Sequence, residues 1–272
     1  MTAASSTLAY QNLGPEKILD AIDSTGLCCD GRLLALNSYE NRVYQVGQQD
    51  GSTLVAKFYR PERWSHAAIL EEHAFSQELA DDEIPVVPPL AISGVTLHQH
   101  GSFSFALFEC RGGRSPELDN LELLGQLGRL IGRIHARGST HDFEHRPTLD
   151  IHSFGELSRD YLLDHDFIPR DLRPAYETTC ADLLERIWQC FDRAGESTEL
   201  RLHGDFHPGN VLVNDGQLFI VDLDDARTGP AVQDLWMFLS GDQHEQTPQL
   251  AEILAGYTRF MDFNARELHL IE

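Results

Sequence analysis

The run RLHGDFHPGNVLVNDGQLFIVDLDDA, Arg201 to Ala226, sets five carboxylates, two histidines and two asparagines around two short apolar segments. The segments NVLV and LFIV flank NDGQ, and Asp215-Gly216 between them is a strong two-residue hairpin signal. Folding about that turn sets Val213 opposite Leu218 and brings Asn210, at the entry of one strand, to the same end as Asp222, at the exit of the other. A slip of one residue would exchange the faces of the hairpin but not its ends. Gly204, Pro208 and Gly209 break regular structure in HGDFHPG, making a loop that can aim Asp205 toward that end, so Asp205, Asn210 and Asp222 are expected to converge. A carboxylate and a side-chain amide oxygen are hard ligands suited to magnesium, which commonly keeps waters and takes its other ligands from substrate phosphates. A second carboxylate beside them can take a proton from an attacking hydroxyl.

The same residues have plainer readings. Asn and Asp make turns, but Asp222, Asp224 and Asp225 follow directly on four apolar residues, and a turn has no use for so many charges at a strand end. His203 and His207 stand four apart as in zinc proteases, yet Gly-Asp-Phe lies between them with no glutamate after the first histidine, and Pro and Gly follow at once. A structural role for His203, bracing the loop, is expected. His135, His141 and His145 do not share a face and read as surface or satisfied core histidines. The five cysteines (Cys28, Cys29, Cys110, Cys180 and Cys190) form no C-x-x-C pair and read as reduced structural thiols.

Around this stretch the chain divides into a β-rich first part and a helical second part. NRVYQV and TLVAKFY are strand-like and joined by the hairpin signal GQQDGS, and VTLHQHGSFSFALFE repeats that pattern around His100-Gly101. WSHAAILEEHAFSQELADDE between them reads as a helix with Ile69, Phe75 and Leu79 among its apolar positions. CRGGRSPELDN marks a break, so domains are expected at residues 1–110 and 111–272, the second carrying the hairpin. Beyond it, LELLGQLGRLIGRIHARG places Leu123, Leu124, Leu127, Leu130, Ile131 and Ile134 at the spacing of a buried helix stripe, with glycines that allow close packing.

With 272 residues, 21 basic against 43 acidic side chains and a formal net charge of −22, the chain can bury a core and repels phosphate backbones. No nucleic-acid or membrane partner is therefore expected. No apolar run approaches the roughly 20 residues of a membrane span, and the N-terminus lacks a basic start followed by an apolar core, so a cytoplasmic protein, acting as a monomer, is expected.

HGDFHPGN followed by IVDLDDA resembles the catalytic pair of the aminoglycoside phosphotransferase and choline kinase superfamily, relatives of the protein kinases. VAKFYRPERWS, ILEEH and VDLDDARTGPAVQDLWMFLSGD are similar, more narrowly, to bacterial serine/threonine protein kinases of that superfamily that act in stress responses. The likeness runs from about Ser38 to Asp242. It implies an α+β, bilobal protein-kinase-like fold with a β-rich N-lobe and a mainly helical C-lobe, and transfer of the ATP γ-phosphoryl group, with Mg2+, to serine or threonine hydroxyls of a protein substrate, this chain included. Asp205 would be the base; Asn210 and Asp222 would hold the metal. Lys57, on a strand, would meet the α- and β-phosphates, held by a helix glutamate, Glu72 in preference to Glu71. Ser38 to Asn41 would form the turn over the phosphates, without a G-x-G-x-x-G, and Glu109 and Cys110 the hinge whose backbone meets adenine. Asp234 resembles the buried aspartate that braces the catalytic loop. The run RFMDFNARELHLIE carries no helix stop signal, where the resemblance implies further helical segments. Two alternatives stand beside this reading: a kinase for a small alcohol such as an amino alcohol, sugar or aminoglycoside, and a kinase-like binding module without catalysis.

Overall fold

The computed structural model describes residues 10–195 and 199–271. In chain order the first elements are α1 (Pro15–Asp23), β1 (Cys29–Ala35), β2 (Arg42–Gln48), β3 (Thr53–Phe58), α2 (His66–Asp81), β4 (His98–His100) and β5 (Phe103–Glu109). They are followed by α3 (Leu121–Gly138), α4 (Leu157–Asp164), α5 (Arg173–Ala194), β6 (Leu200–Leu202), β7 (Val211–Asn214), β8 (Gln217–Ile220), β9 (Arg227–Gly229) and α6 (Gln243–Tyr257). This is the α+β composition expected from the sequence, strands first and helices after. Two compact units result, one holding the chain up to Arg114 together with Val211–Asp224, the other Ser115–Asn210 together with the chain from Asp225 onward. The sequence boundary near residue 110 lies close to Arg114, but the β7–β8 hairpin, expected with the helical part, groups with the β-rich one. The reason is pairing: Val86 bridges Ile220, Arg114 bridges Val213, and Ile220 N–H donates to Pro85 O at 2.8 Å.

The first unit is built on an antiparallel five-stranded sheet in the order β1-β2-β3-β5-β4. Its core, among others Ile18, Ile22, Val46, Phe58, Phe105 and Leu107, packs α1 against the sheet. Lys57 lies on the central strand β3, opposite Val43 on β2 and Ala106 on β5, so hydrogen bonds on both sides hold its backbone. α2 starts at Ser65, whose side chain caps Ala68 N–H, and it buries Ile69, Phe75 and Leu79 as its apolar positions predicted. In the hairpin, Val213 stands opposite Leu218 and Val211 opposite Ile220, the register read from the sequence. Asp215 (φ 47°) and Gly216 (φ 77°) form the two-residue turn with both φ positive that matches strand twist.

In the second unit α3 and α6 pack face to face. Leu124, Leu127, Ile131 and Ile134 of the expected stripe are buried, and so are Gly125, Gly128 and Gly132. The contact is backbone on backbone: a Cβ on Gly128 would sit 2.0 Å from Ile253 O, and one on Gly256 would sit 2.2 Å from Gly125 O. β6 and β9 form a two-stranded sheet pairing Leu200 with Gly229 and Leu202 with Arg227. That pairing fixes the ends of the loop that begins at His203. α5 is the longest helix among the described residues, and of its 22 residues Ala194 alone is buried.

Candidate active site

Lys57 stands on the central strand with its side chain only 6% exposed. Its Nζ donates to Asp222 Oδ1 at 2.5 Å and lies 3.5 Å from Asp224 Oδ1, while the Tyr59 ring backs it at 5.5 Å from the ring centre. Burial pushes the Lys57 ammonium down, but the carboxylates of Asp222, Asp224 and Glu72 outweigh it and hold the group above its ordinary range. Lys57 is therefore a fixed cation. Asp222 follows β8 with φ 64°, a left-handed conformation that Asp tolerates better than bulky residues and that costs of order 1–3 kcal/mol. That turn takes the chain out of the strand direction at the residue that meets Lys57. Asp222 remains half exposed, whereas Asp224 is buried and accepts from Arg63 Nη1 at 3.0 Å.

Glu72 lies on α2, 2% exposed, and acts on Lys57 through its charge; the ion pairs that Lys57 makes are with the two aspartates. Glu71 is less buried than Glu72. Ser38 and Asn41 share one turn between β1 and β2. Ser38 Oγ donates to Asn41 O at 2.9 Å, and Asn41 Oδ1 accepts from Arg60 N–H at 3.1 Å, which ties the turn to the chain just beyond β3. Glu109 ends β5 opposite Leu54, with Arg111 on its carboxylate at 2.7 Å, and Cys110, half-buried, follows it.

The second unit carries Asp205 and Asn210 on a loop held from behind. Asp234, fully buried, accepts from His203 N–H at 2.8 Å and Gly204 N–H at 2.9 Å, and lies 3.1 Å from His135 Nε2. Burial raises the Asp234 carboxyl, but His135, His203 and the Gly204 amide outweigh it and leave it below its ordinary range. Gly204 has φ 84°, and a Cβ there would fall 2.1 Å from Asp225 O, so the tight entry to the loop requires glycine. Phe206, buried, stacks on the His203 ring at 4.6 Å and meets Phe238 edge-on at 5.2 Å. With its neighbours pinned, Asp205 is left 46% exposed, its Oδ2 3.6 Å from His207 Nε2. His207 Nδ1 accepts from Gly209 N–H, which puts the proton of the neutral ring on the nitrogen facing Asp205. Asn210 Nδ2 donates to Asp205 O at 2.9 Å, so the amide nitrogen is engaged and the amide oxygen is the atom left for a ligand.

The structure thus brings Lys57 to Asp222, and Asp205 to Asn210, each pair within one unit. The amide oxygen of Asn210 and the half-exposed carboxylate of Asp222 each carry donor chemistry that suits a hard divalent cation. Two contributors escaped the sequence reading. Asp224, 3.5 Å from Lys57 Nζ, has as its signal its place two residues after Asp222; Arg63 carries no signal, because an arginine in a polar run is ordinarily solvated.

A model of the phosphotransferase enzyme family matches residues 32–270. The chain is 45% identical over 267 residues to stress response kinase A of Escherichia coli strain K12, covering 98% of this chain and 80% of that protein. It is 45% identical over 263 residues to the serine/threonine protein kinase RdoA of Salmonella typhimurium strain LT2, covering 97% of this chain and 79% of that protein. Among solved structures, amicoumacin kinase hAmiN in complex with AMP-PNP, Ca2+ and Ami superposes with a TM-score of 0.76 at 19% identity, covering 96% of this chain and 81% of that one. At that identity the likeness speaks for the fold, a kinase-like α+β architecture.

Proposed function

Because the chain belongs to the phosphotransferase enzyme family, we propose that it transfers the γ-phosphoryl group of ATP to serine and threonine hydroxyls of proteins, itself included, in a bacterial stress response. Asp205 orients the acceptor hydroxyl and takes its proton, a role served by a half-exposed carboxylate on a loop that cannot drift. Lys57 holds the α- and β-phosphates with a charge that three carboxylates maintain. Asn210 and Asp222 hold Mg2+, which when bound supplies positive charge to the phosphate oxygens. Ser38 to Asn41 cover the phosphates, and the backbone at Glu109 and Cys110 meets the adenine. Such a site works by positioning and charge neutralisation, since the loose transition state of phosphoryl transfer asks little covalent help.

The single observation that carries the phosphoryl-transfer reading is the pairing of buried Lys57 with Asp222, the residue at which the strand turns away. The protein acceptor is supported by the near-complete span of the likeness to stress response kinase A and to the serine/threonine protein kinase RdoA. The test is to incubate the purified chain with ATP, Mg2+ and a basic acceptor protein, and separately with an amino alcohol and an aminoglycoside, then map phosphate by mass spectrometry. Phosphoserine or phosphothreonine that is absent with the Asp205→Asn variant is the expected result. Rapid phosphorylation of a small alcohol, with protein phosphate no higher than in the variant, replaces this reading by a small-molecule kinase. Nucleotide binding with no transfer to any acceptor replaces it by a binding module.

A further inference from the structure

Beside Lys57 lies a buried histidine that the reaction as proposed does not use. His73 follows Glu72 on α2 and is 3% exposed. Its Nε2 is 2.7 Å from Tyr59 Oη, and its Nδ1 is 2.9 Å from Thr96 Oγ1. Tyr59, also buried, comes just after β3, two residues from Lys57, and its ring is the one that backs the Lys57 ammonium. The next residue back along the helix, Glu72, has Oε2 3.7 Å from His73 Nε2. One imidazole therefore ties the helix that carries Glu72 to the strand end that carries Lys57, and both rings are buried. Tyr59 is further fixed by its own N–H, which donates to Ser104 O at 2.9 Å.

We propose that His73 is a positioning residue for Lys57, acting through the Tyr59 hydroxyl: it holds the aromatic face behind the ammonium and the register of Glu72 on α2. The inference rests on the reading of Lys57 as the phosphate-holding cation. A buried hydrogen bond between two pinned rings restricts motion in a way an apolar contact of the same shape does not, because the hydroxyl has one direction in which it is satisfied. Loss of the bond lets the ring and the ammonium sample more positions, which weakens the hold on the nucleotide more than the chemical step.

The two ring nitrogens can be replaced one at a time. In His73→Gln the side-chain amide reaches about as far as Nε2 and keeps the bond to Tyr59; in His73→Asn it reaches only as far as Nδ1 and keeps the bond to Thr96. Tyr59→Phe removes the hydroxyl alone and leaves the packing, so it reports even where a histidine variant does not fold. KM for ATP and kcat are measured for these three, for Tyr59→Phe/His73→Asn together, and for Lys57→Ala. Expected are a three- to tenfold higher KM with kcat within about twofold for Tyr59→Phe and His73→Asn, recovery to within about twofold of the unaltered KM in His73→Gln, and no further loss in the double variant. If Lys57→Ala impairs ATP use while Tyr59→Phe leaves KM unchanged, or if His73→Asn serves as well as His73→Gln, the positioning role is overturned and the site reading stands. If Lys57→Ala leaves ATP use unchanged, the site reading itself falls, and this inference with it.

Discussion

Two buried carboxylates with opposite shifts give the site's surroundings opposite responses to pH. Asp234 titrates below its ordinary range of about 3.9. A lowered value in the folded chain means stabilisation that is present above that ordinary value and lost as pH falls through the lowered one. Asp234→Asn removes a charged acceptor of two backbone amides, each such bond contributing about 1.5–3 kcal/mol. It should lower stability in urea unfolding at pH 7 by roughly 3 kcal/mol, and the gap from the unaltered chain should narrow at pH 3. Glu267, 2% exposed, is pushed up by burial although it accepts from Val232 N–H at 3.0 Å. A raised carboxylate stabilises when protonated, and that contribution is lost as pH rises through its folded value. Glu267→Gln keeps the acceptor and removes the charge, so its Tm relative to the unaltered chain should climb between pH 5 and pH 8. A Tm difference that falls over that interval would contradict the assignment. Legibility at this scale followed chemistry that repeats locally. Asp205, Asn210 and Asp222 could be singled out because carboxylates at a strand end and in a Gly/Pro loop have little structural use, whereas Asp224, Arg63 and the His73–Tyr59 pair depend on partners far off in the chain.

At the scale of elements, the helix pair α3 and α6 sets the framework on which the Asp205 loop is braced, since His135 of α3 reaches Asp234 and Tyr257 of α6 bonds His135 at 3.0 Å. That contact is as close as glycine permits. Gly128→Ala would gain about 1 kcal/mol of helix propensity but drive a Cβ into the Ile253 carbonyl, and overpacking of this kind costs roughly 1–3 kcal/mol or more. Its Tm should fall by several degrees, while Gly112→Ala, with no atom within 4 Å of the added Cβ, should leave Tm within a degree or two. Equal effects would mean the glycines of α3 do not set the helix spacing. α3, α2 and the β7–β8 hairpin were legible because each has a strong local signal: a stripe, a helix-forming run with Ile69, Phe75 and Leu79 among its apolar positions, an Asp-Gly turn. β1, with an exposed face and a glycine, and α5, whose apolar residues Leu183 and Trp188 are exposed, gave no such signal. The grouping of the hairpin with the β-rich unit was illegible for another reason, since it rests on bridges to Val86 and Arg114 more than 90 residues away.

The molecule as a whole carries a formal charge of −22, and no helix among the described residues is long and apolar enough to cross a membrane. A protein acceptor with basic residues around its hydroxyl should meet such a surface faster than an acidic one. Raising salt from 50 mM to 500 mM shortens the Debye length from about 14 Å to about 4 Å, so KM for a basic acceptor peptide should rise several-fold while KM for a neutral peptide of the same length changes little. Equal salt responses would remove net charge from the account of acceptor choice. The overall class, strands followed by helices with a charged hairpin among the helices, was open to sequence reading because local periodicity and turn chemistry agree along most of the chain. The role proposed for Asp205 is in the chemical step and not in holding the nucleotide. Its most direct test is the single-turnover rate of phosphoryl transfer at saturating ATP and Mg2+ for the unaltered chain and Asp205→Asn, with ATP affinity measured by calorimetry on both. The predicted result is a rate lower by on the order of 10²- to 10⁴-fold with ATP affinity within about threefold; an unchanged rate, or a lost affinity with a normal rate, would contradict it.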